Sequence, residues 1–400
     1  MAKINRRTAM AQIFGAAASL ALVPRVHGRV LPGFGAPPQE REMPTGPEHE
    51  AMAALGIAFM KTYFAPALSV AMVRNSKFVF ERVFGMADSD KHELTSQTSL
   101  FRIASLTKPI TSVAIFTLVE QGKVNLSDKV FGPSGILDGM YGKGPYKQYV
   151  PDITVDHLLT HTCGGWPADD SDPMFHNDGW DQAKLITSTI ENVPLTSPPG
   201  QNWAYSNFGY CILGRVIEKI TGQPYASYVQ QAVLGPSQIT DMQIAGNTER
   251  ERAADEVSYL GQFGEQPYKM NVRRMDSHGG WIANPNDLCR FISHVGGSPT
   301  IPALLKPATI KMMTTPTPAY PASSPAKYAR GWMVRDMGNG SINWWHNGSL
   351  PGSTTIMVRT YNGMAWAALT NTRTQPSNQI DTALDQMMWN MAGQVKSWNM

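Results

Sequence analysis

Ser105 and Lys108 stand three residues apart in Phe101-Arg-Ile-Ala-Ser105-Leu-Thr-Lys108, where a long apolar helical stretch begins. A serine at a helix start lies among N–H groups with no intrahelical acceptor and at the positive end of the helix dipole, a setting that stabilises an oxyanion. A lysine three residues on shares its helical face and can lower the hydroxyl's proton affinity or take its proton. An N-cap is the other use of such a serine. The same spacing at Ser324 and Lys327 falls in what reads as a proline-rich loop and is set aside. Tyr205-Ser206-Asn207 supplies a phenol that a neighbouring lysine can draw from about 10 toward neutrality, making a general base. The Asn207 amide can orient Lys108, although a buried tyrosine before a Ser-Asn turn gives the same tripeptide. In Trp344-Trp345-His346-Asn347-Gly348-Ser349, His346 can protonate a leaving group or hold a carboxylate. Gly348 admits close backbone approach, and the Ser349 N–H can complete an oxyanion hole.

These pieces need elements to bring them together. An amphipathic helix is predicted from Glu48 to about Tyr63, then a hairpin of Ala67–Arg74 and Phe78–Phe84 turning at Asn75. Ser105 to Gln121 reads as a helix that is apolar around most of its circumference and therefore buried, closed by Gly122. Further helices are predicted at Phe208–Thr221 and Asn286–Val295. Short strands follow at Gly331–Arg335, Ser341–His346, Ser353–Arg359 and Met364–Thr370, parted by Gly/Asn turns, before a last helix at about Asn378–Met391. Strands at both ends with helices between predict an α+β fold: a sheet lobe from residues 48–123 and 325–395, with a mostly helical lobe at 124–324.

Composition narrows the class. The chain has 400 residues, 42% hydrophobic and 16% charged, with a formal net charge of +3; that excludes wholesale disorder and offers no basic stripe for nucleic acid. Lys3, Arg6 and Arg7 precede an uncharged run from Thr8 to Pro24, with small or neutral residues at Val26-His27-Gly28. Residues 1–28 read as an export signal, twin-arginine or general secretory, because the apolar run falls short of the roughly 20 residues of a membrane span. Losing its four cations, the fourth being Arg25, takes the net charge from +3 to −1. The expected product is periplasmic or secreted, with no lipid anchor, since no cysteine follows the run. Residues 29–47, rich in Pro and Gly, read as a linker. Cys163, Cys211 and Cys289 are widely spaced and odd in number, which favours buried free thiols over a disulfide framework.

Ser-x-x-Lys, Tyr-Ser-Asn and His-x-Gly, in this order, resemble the motifs of the penicillin-recognising serine hydrolases: class C β-lactamases, DD-peptidases and related esterases. His157-Leu-Leu-Thr-His161-Thr-Cys-Gly, Gly279-Gly280-Trp281, Pro351-Gly352 and Leu369-Thr-Asn371 fit the same resemblance, which covers about residues 48–395. It implies a β-lactamase/transpeptidase-like fold, Ser105 as acylated nucleophile, Lys108 and Tyr205 as its proton partners, and Asn207 steadying Lys108. It also puts His346, Asn347, Gly348 and Ser349 along the substrate, with no metal or organic cofactor. His346 takes the place of a lysine found in most β-lactamases, and Asn347 lacks the hydroxyl that grips a terminal carboxylate. The expected activity is therefore that of a peptidase or amidase on short or unusual peptides. A carboxylesterase, a class C β-lactamase or DD-carboxypeptidase, and a non-catalytic binding protein of the same fold are the alternatives. Gly-x-Ser-x-Gly is absent, and Leu158 stands where a zinc peptidase would need Glu between His157 and His161. Asp169, Asp170, Asp172 and Asp178 read as a solvated loop or as an attraction for a cationic group. Trp166, Trp203, Trp344 and Trp345 are candidates for an apolar pocket or for core packing.

Overall fold

The structure, a computed structural model, describes residues 45–298 and 300–395; the export signal and nearly all of the linker read from the sequence lie outside these. Runs of β-branched and aromatic residues at Ala67–Arg74 (β1) and Lys77–Asp88 (β2) form the expected hairpin. It turns at Asn75 and Ser76, which adopt φ of 46° and 66°, the left-handed pair that matches strand twist. Glu93–Leu94 (β3) extends the edge. From the C-terminal part come Lys327–Tyr328 (β4), Met333–Gly338 (β5), Ser341–Leu350 (β6), Ser353–Arg359 (β7) and Met364–Thr370 (β8). Together they make an eight-stranded antiparallel sheet in the order β3-β2-β1-β8-β7-β6-β5-β4. The two ends of the chain meet at its centre: Ala67 N–H donates to Asn371 Oδ1 at 2.8 Å, and Thr370 Oγ1 donates to Ala67 O at 2.7 Å.

Helices cover both faces because the central strands are apolar on both. On the outer face, Pro47–Tyr63 (α1) and Ser377–Ala392 (α5) bury Met52, Met60, Leu384 and Met388 against Leu68, Val70 and Trp366. On the inner side, Thr107–Glu120 (α2) is buried at every position from Thr107 to Phe116 and at Leu118, as its all-round apolarity predicts. Each large apolar side chain there contributes about 1.5–3 kcal/mol by leaving water. Asn207–Thr221 (α3) is closed by Gly222 at φ 67°.

Pro285–Gly296 (α4) corrects the lobe boundary drawn from the sequence. Its stripe of Leu288, Cys289, Phe291, Ile292 and Val295 is fully buried, and Cys289 Sγ lies 3.5 Å from Ala71 O on β1. This helix belongs to the sheet lobe. The segment between the lobes also contributes Gln243–Ile244 and Trp281–Ala283, which join Phe101–Arg102 in a three-stranded sheet. Cys163, Cys211 and Cys289 are all buried and unpaired.

Candidate active site

Ser105 is not the N-cap that its position suggests. Ala104–Leu106 form a single 3-10 turn, α-helical geometry starts at Thr107, and the Ser105 side chain caps neither. Ala104 enters that turn at φ 47°, a left-handed conformation that costs a residue with a Cβ roughly 1–3 kcal/mol. Neighbouring strands hold it there. Ser353 Oγ donates to Arg102 O at 2.5 Å, Thr355 Oγ1 to Ile103 O at 2.9 Å, and Ile103 N–H to Trp281 O at 3.0 Å. From Phe101 to Phe116, Ser105 alone is not buried.

Lys108 has no exposed surface. Its Nζ donates to Ser105 Oγ at 3.1 Å, to Asn207 Oδ1 at 2.7 Å and to the His278 carbonyl at 3.0 Å. Three acceptors match the three donors of an ammonium; as a neutral amine, the group would keep two of these bonds and accept the serine proton through its lone pair. Burial pulls the Lys108 pKa down to about 7 against the opposing charge of Asp172. Both forms are thus populated near neutrality.

Asp172 is a member of this site that the sequence does not set apart from Asp169, Asp170 and Asp178. It is buried, its Oδ2 accepts from Asn207 Nδ2 at 2.7 Å, and its Oδ1 caps a short turn through Met174 N–H at 2.9 Å. A chain of contacts therefore runs Ser105–Lys108–Asn207–Asp172. Asp169, Asp170 and Asp178 are exposed. The amide of Asn207 presents its oxygen to the lysine because its nitrogen is committed to the carboxylate.

Tyr205 sits under the Lys108 ammonium, 4.7 Å from Nζ to ring centroid, and its phenol pairs with the Ser105 side chain. Its pKa is not drawn toward neutrality as the sequence suggests. Burial pushes it well above 10, with the Asp172 charge adding to this and the Ser105 bond only partly offsetting it. Lys108 Nζ lies over the ring face and donates to Ser105 Oγ, not to the phenol oxygen. His161 fixes the tyrosine: its carbonyl accepts from Ala204 N–H at 2.9 Å, its Nδ1 accepts from Ser206 N–H at 3.1 Å, and its ring centroid is 4.2 Å from that of Tyr205. Ser206 in turn caps α3 through Gly209 N–H at 3.0 Å.

β6 runs on through His346–Leu350, four residues past the strand end expected from sequence. It stays paired to β7 as far as Leu350 opposite Ser353, whereas its pairing to β5 stops at Trp345 opposite Met333. Beyond Trp345 that edge has no strand partner among the described residues. Gly348 lies against the Ser105 turn; a Cβ there would stand 2.3 Å from Ile103 O and 2.4 Å from Thr355 Oγ1, so only glycine fits.

His346 differs from its expected role as a cation. Nδ1 is 2.6 Å from its neighbour's carbonyl at Asn347, so Nδ1 carries the proton and Nε2 accepts from Tyr328 Oη at 3.2 Å. Burial, then the Lys108 charge, holds its pKa down to about 3 against the Asn347 bond. The ring is neutral at working pH, and both nitrogens are engaged. Strand alternation sends the Asn347 side chain to the α5 face, where it bonds Asp381. Asn347 and Ser349 therefore offer the site their backbone alone. Of the tryptophans, Trp203 stands at the site, edge-on to Tyr320 with centroids 4.6 Å apart. Trp166 and Trp344 are core, and Trp345 packs on the outer face.

A strand laid beside a serine paired to a buried lysine, with a tyrosine and an asparagine, defines a class, and comparison with known proteins agrees. The Beta-lactamase family model matches residues 52–386, and the chain belongs to this family of serine hydrolases. Protein flp of Staphylococcus aureus (strain MRSA252) is 29% identical over 194 residues, 48% of this chain and 38% of that protein. Penicillin-binding protein 4* of Bacillus subtilis (strain 168) is 24% identical over 316 residues, 73% of this chain and 64% of that one. The chain thus spans less than two thirds of either relative. The structure of the D-amino acid amidase from Ochrobactrum anthropi SV3 superposes with a TM-score of 0.68 at 20% identity, covering 87% of this chain and 100% of that chain, a likeness of fold.

Proposed function

We propose that the protein is an exported serine hydrolase that forms an acyl-enzyme on Ser105 and acts as a peptidase or amidase on short or unusual peptides. The observation that carries the reading is the fully buried Lys108 within hydrogen-bond reach of the partly exposed Ser105 hydroxyl, with two further acceptors fixing its direction. Neutral Lys108 takes the Ser105 proton as Oγ attacks the substrate carbonyl. The N–H groups of Ser105 and Ser349 receive the developing oxyanion. Tyr205, protonated at rest, lies where it can pass a proton to the leaving nitrogen as the carbon–nitrogen bond breaks. Water then attacks the acyl ester, giving a proton to the Tyr205 phenolate, and Lys108 returns its proton to Ser105 Oγ as the ester carbon–oxygen bond breaks. The fold shared with a D-amino acid amidase supports an amide substrate, and the charged amino terminus of residues 1–28 supports export.

A carboxylesterase is the second reading, favoured by the aromatic surroundings of Trp203, Tyr320 and Tyr328. The test is intact mass after exposure to a fluorophosphonate probe. One adduct on the wild-type protein and none on Ser105→Ala is expected; no adduct on either would leave a binding protein of the same fold.

A further inference from the structure

Arg274 is buried, and both terminal nitrogens of its guanidinium are directed at one loop. Nη1 donates to the carbonyls of Asn177 and Trp180 at 2.7 and 3.0 Å, and Nη2 to those of Met174 and His176 at 3.0 and 2.8 Å. Asn271 Nδ2 adds a bond to the Asp178 carbonyl at 2.9 Å. Residues Phe175 to Gly179 are exposed, so a surface loop turns its carbonyls inward around a buried cation. Both sides of this clamp lead to Lys108. On the loop side, Met174 N–H donates to Asp172 Oδ1 at 2.9 Å, and Asp172 Oδ2 accepts from Asn207, the amide whose oxygen accepts from Lys108. On the other side, Arg274 stands in the 3-10 turn Arg273–Met275, shortly before His278, whose carbonyl also accepts from Lys108. The contacts close a ring around the amine, and Arg274 joins its two halves.

We infer that Arg274 is a positioning residue for Lys108: by tying the Asp172 loop to the segment that ends at His278, it fixes the two acceptors, Asn207 Oδ1 and the His278 carbonyl, that aim the amine at Ser105. A guanidinium suits this task because its planar fork of donors sets direction as well as distance, which the point charge of a lysine does not. Asp172 is the carboxylate whose charge reaches the amine. His161, His278 and His346 lie within reach of the same charge, but burial holds each ring below its ordinary pKa, and burial holds the Tyr205 and Tyr210 phenols above theirs. Beside Arg274, Asp178 is 3.9 Å away on the exposed loop, Arg215 and Asp276 pair with each other at 2.6 Å, and burial keeps the Cys211 thiol uncharged.

This inference rests on Lys108 as the base for Ser105, and the experiment separates the two. The readout is the rate at which a fluorophosphonate labels Ser105, followed across the acid limb. Arg274→Lys keeps the charge but not the fork, and is expected to slow labelling by about ten- to a hundredfold, the scale of a small misplacement near a catalytic group. Its acid limb should also move to lower pH, because a loosened loop carries the Asp172 charge away from the amine it supports. In an Asp172→Asn background the same substitution should move the limb no further, since both changes act through one contact. Asn177→Pro reaches the clamp from the surface. Asn177 is exposed at φ 54°, a value closed to proline, so the inward carbonyls must turn away with no core side chain altered, and the limb should shift in the same direction. A limb left in place in either folded variant, a limb moved to higher pH, or shifts that add in the double variant would overturn the inference, whatever the change in Tm. A wild-type protein with no limb near pH 7 would instead overturn Lys108 as the base.

Discussion

Lys108 is the residue on which the chemistry turns, because burial leaves it close to neutrality while Asp172 restrains the fall. Below about pH 7 the amine gains a proton and cannot accept one from Ser105. The acid limb of kcat/KM is therefore expected to lie near pH 7, falling about tenfold per unit below it. A profile flat down to pH 5 would exclude Lys108 as the base. Lys108→Arg keeps a cation but removes any accessible neutral form, and should lower kcat/KM by roughly 10²–10⁴, the worth of general base catalysis. Asp172→Asn removes the charge that supports the ammonium, so the acid limb should move to lower pH. A purely structural Asp172 would change expression or Tm and leave the limb in place. The sequence named Ser105, Lys108, Tyr205 and Asn207 because their types and order carry a chemical pattern. It could not single out Asp172, which has the same surroundings in the chain as Asp169 and Asp170 and differs only in the side it faces. His278 was invisible for another reason: it contributes its carbonyl, a group that every residue has.

The 3-10 turn and β6 are held against each other by contacts that leave no room for a side chain. Gly348→Ala would bring a Cβ to 2.3 Å from Ile103 O and 2.4 Å from Thr355 Oγ1, and overpacking of that kind costs about 1–3 kcal/mol. The expected outcome is a lower Tm together with loss of fluorophosphonate labelling, because the strand can move away only by taking the Ser349 N–H with it. Unchanged labelling would show that the Ser349 N–H is not needed. The sequence located β6 as a short run between Gly/Asn turns but stopped it at His346, since Asn347-Gly348 is an ordinary turn signal. Pairing with β7 keeps those residues extended, an effect of tertiary context that local pattern cannot report. The same kind of context assigned α4 to the sheet: its apolar stripe was legible, but the surface covering it was not.

At the scale of the whole molecule, the order of the sheet sets how the chain assembles. β1 lies between its hairpin partner β2 and β8, so some 300 residues separate strands that bond side by side, Leu68 opposite Thr370. Contacts of that sequence separation are slow to form and late to reward the chain. A chain ending at Arg359 would lose β8 and α5, exposing Leu68, Val70 and Met72 of the outer-face cluster, and is expected to be insoluble or unfolded by circular dichroism. A soluble, folded fragment would contradict the sheet order. Cys163, Cys211 and Cys289 offer a further check. Burial raises all three thiols, so none should react with a thiol reagent in the native protein and all three should react in denaturant.

That arrangement of thiols has a consequence for how the folded protein meets a change of redox conditions. With all three sulfurs enclosed and unlinked, the folded protein holds no cross-link for an oxidant to form or a reductant to break. Its stability is therefore expected to be the same with and without a thiol reductant in the buffer.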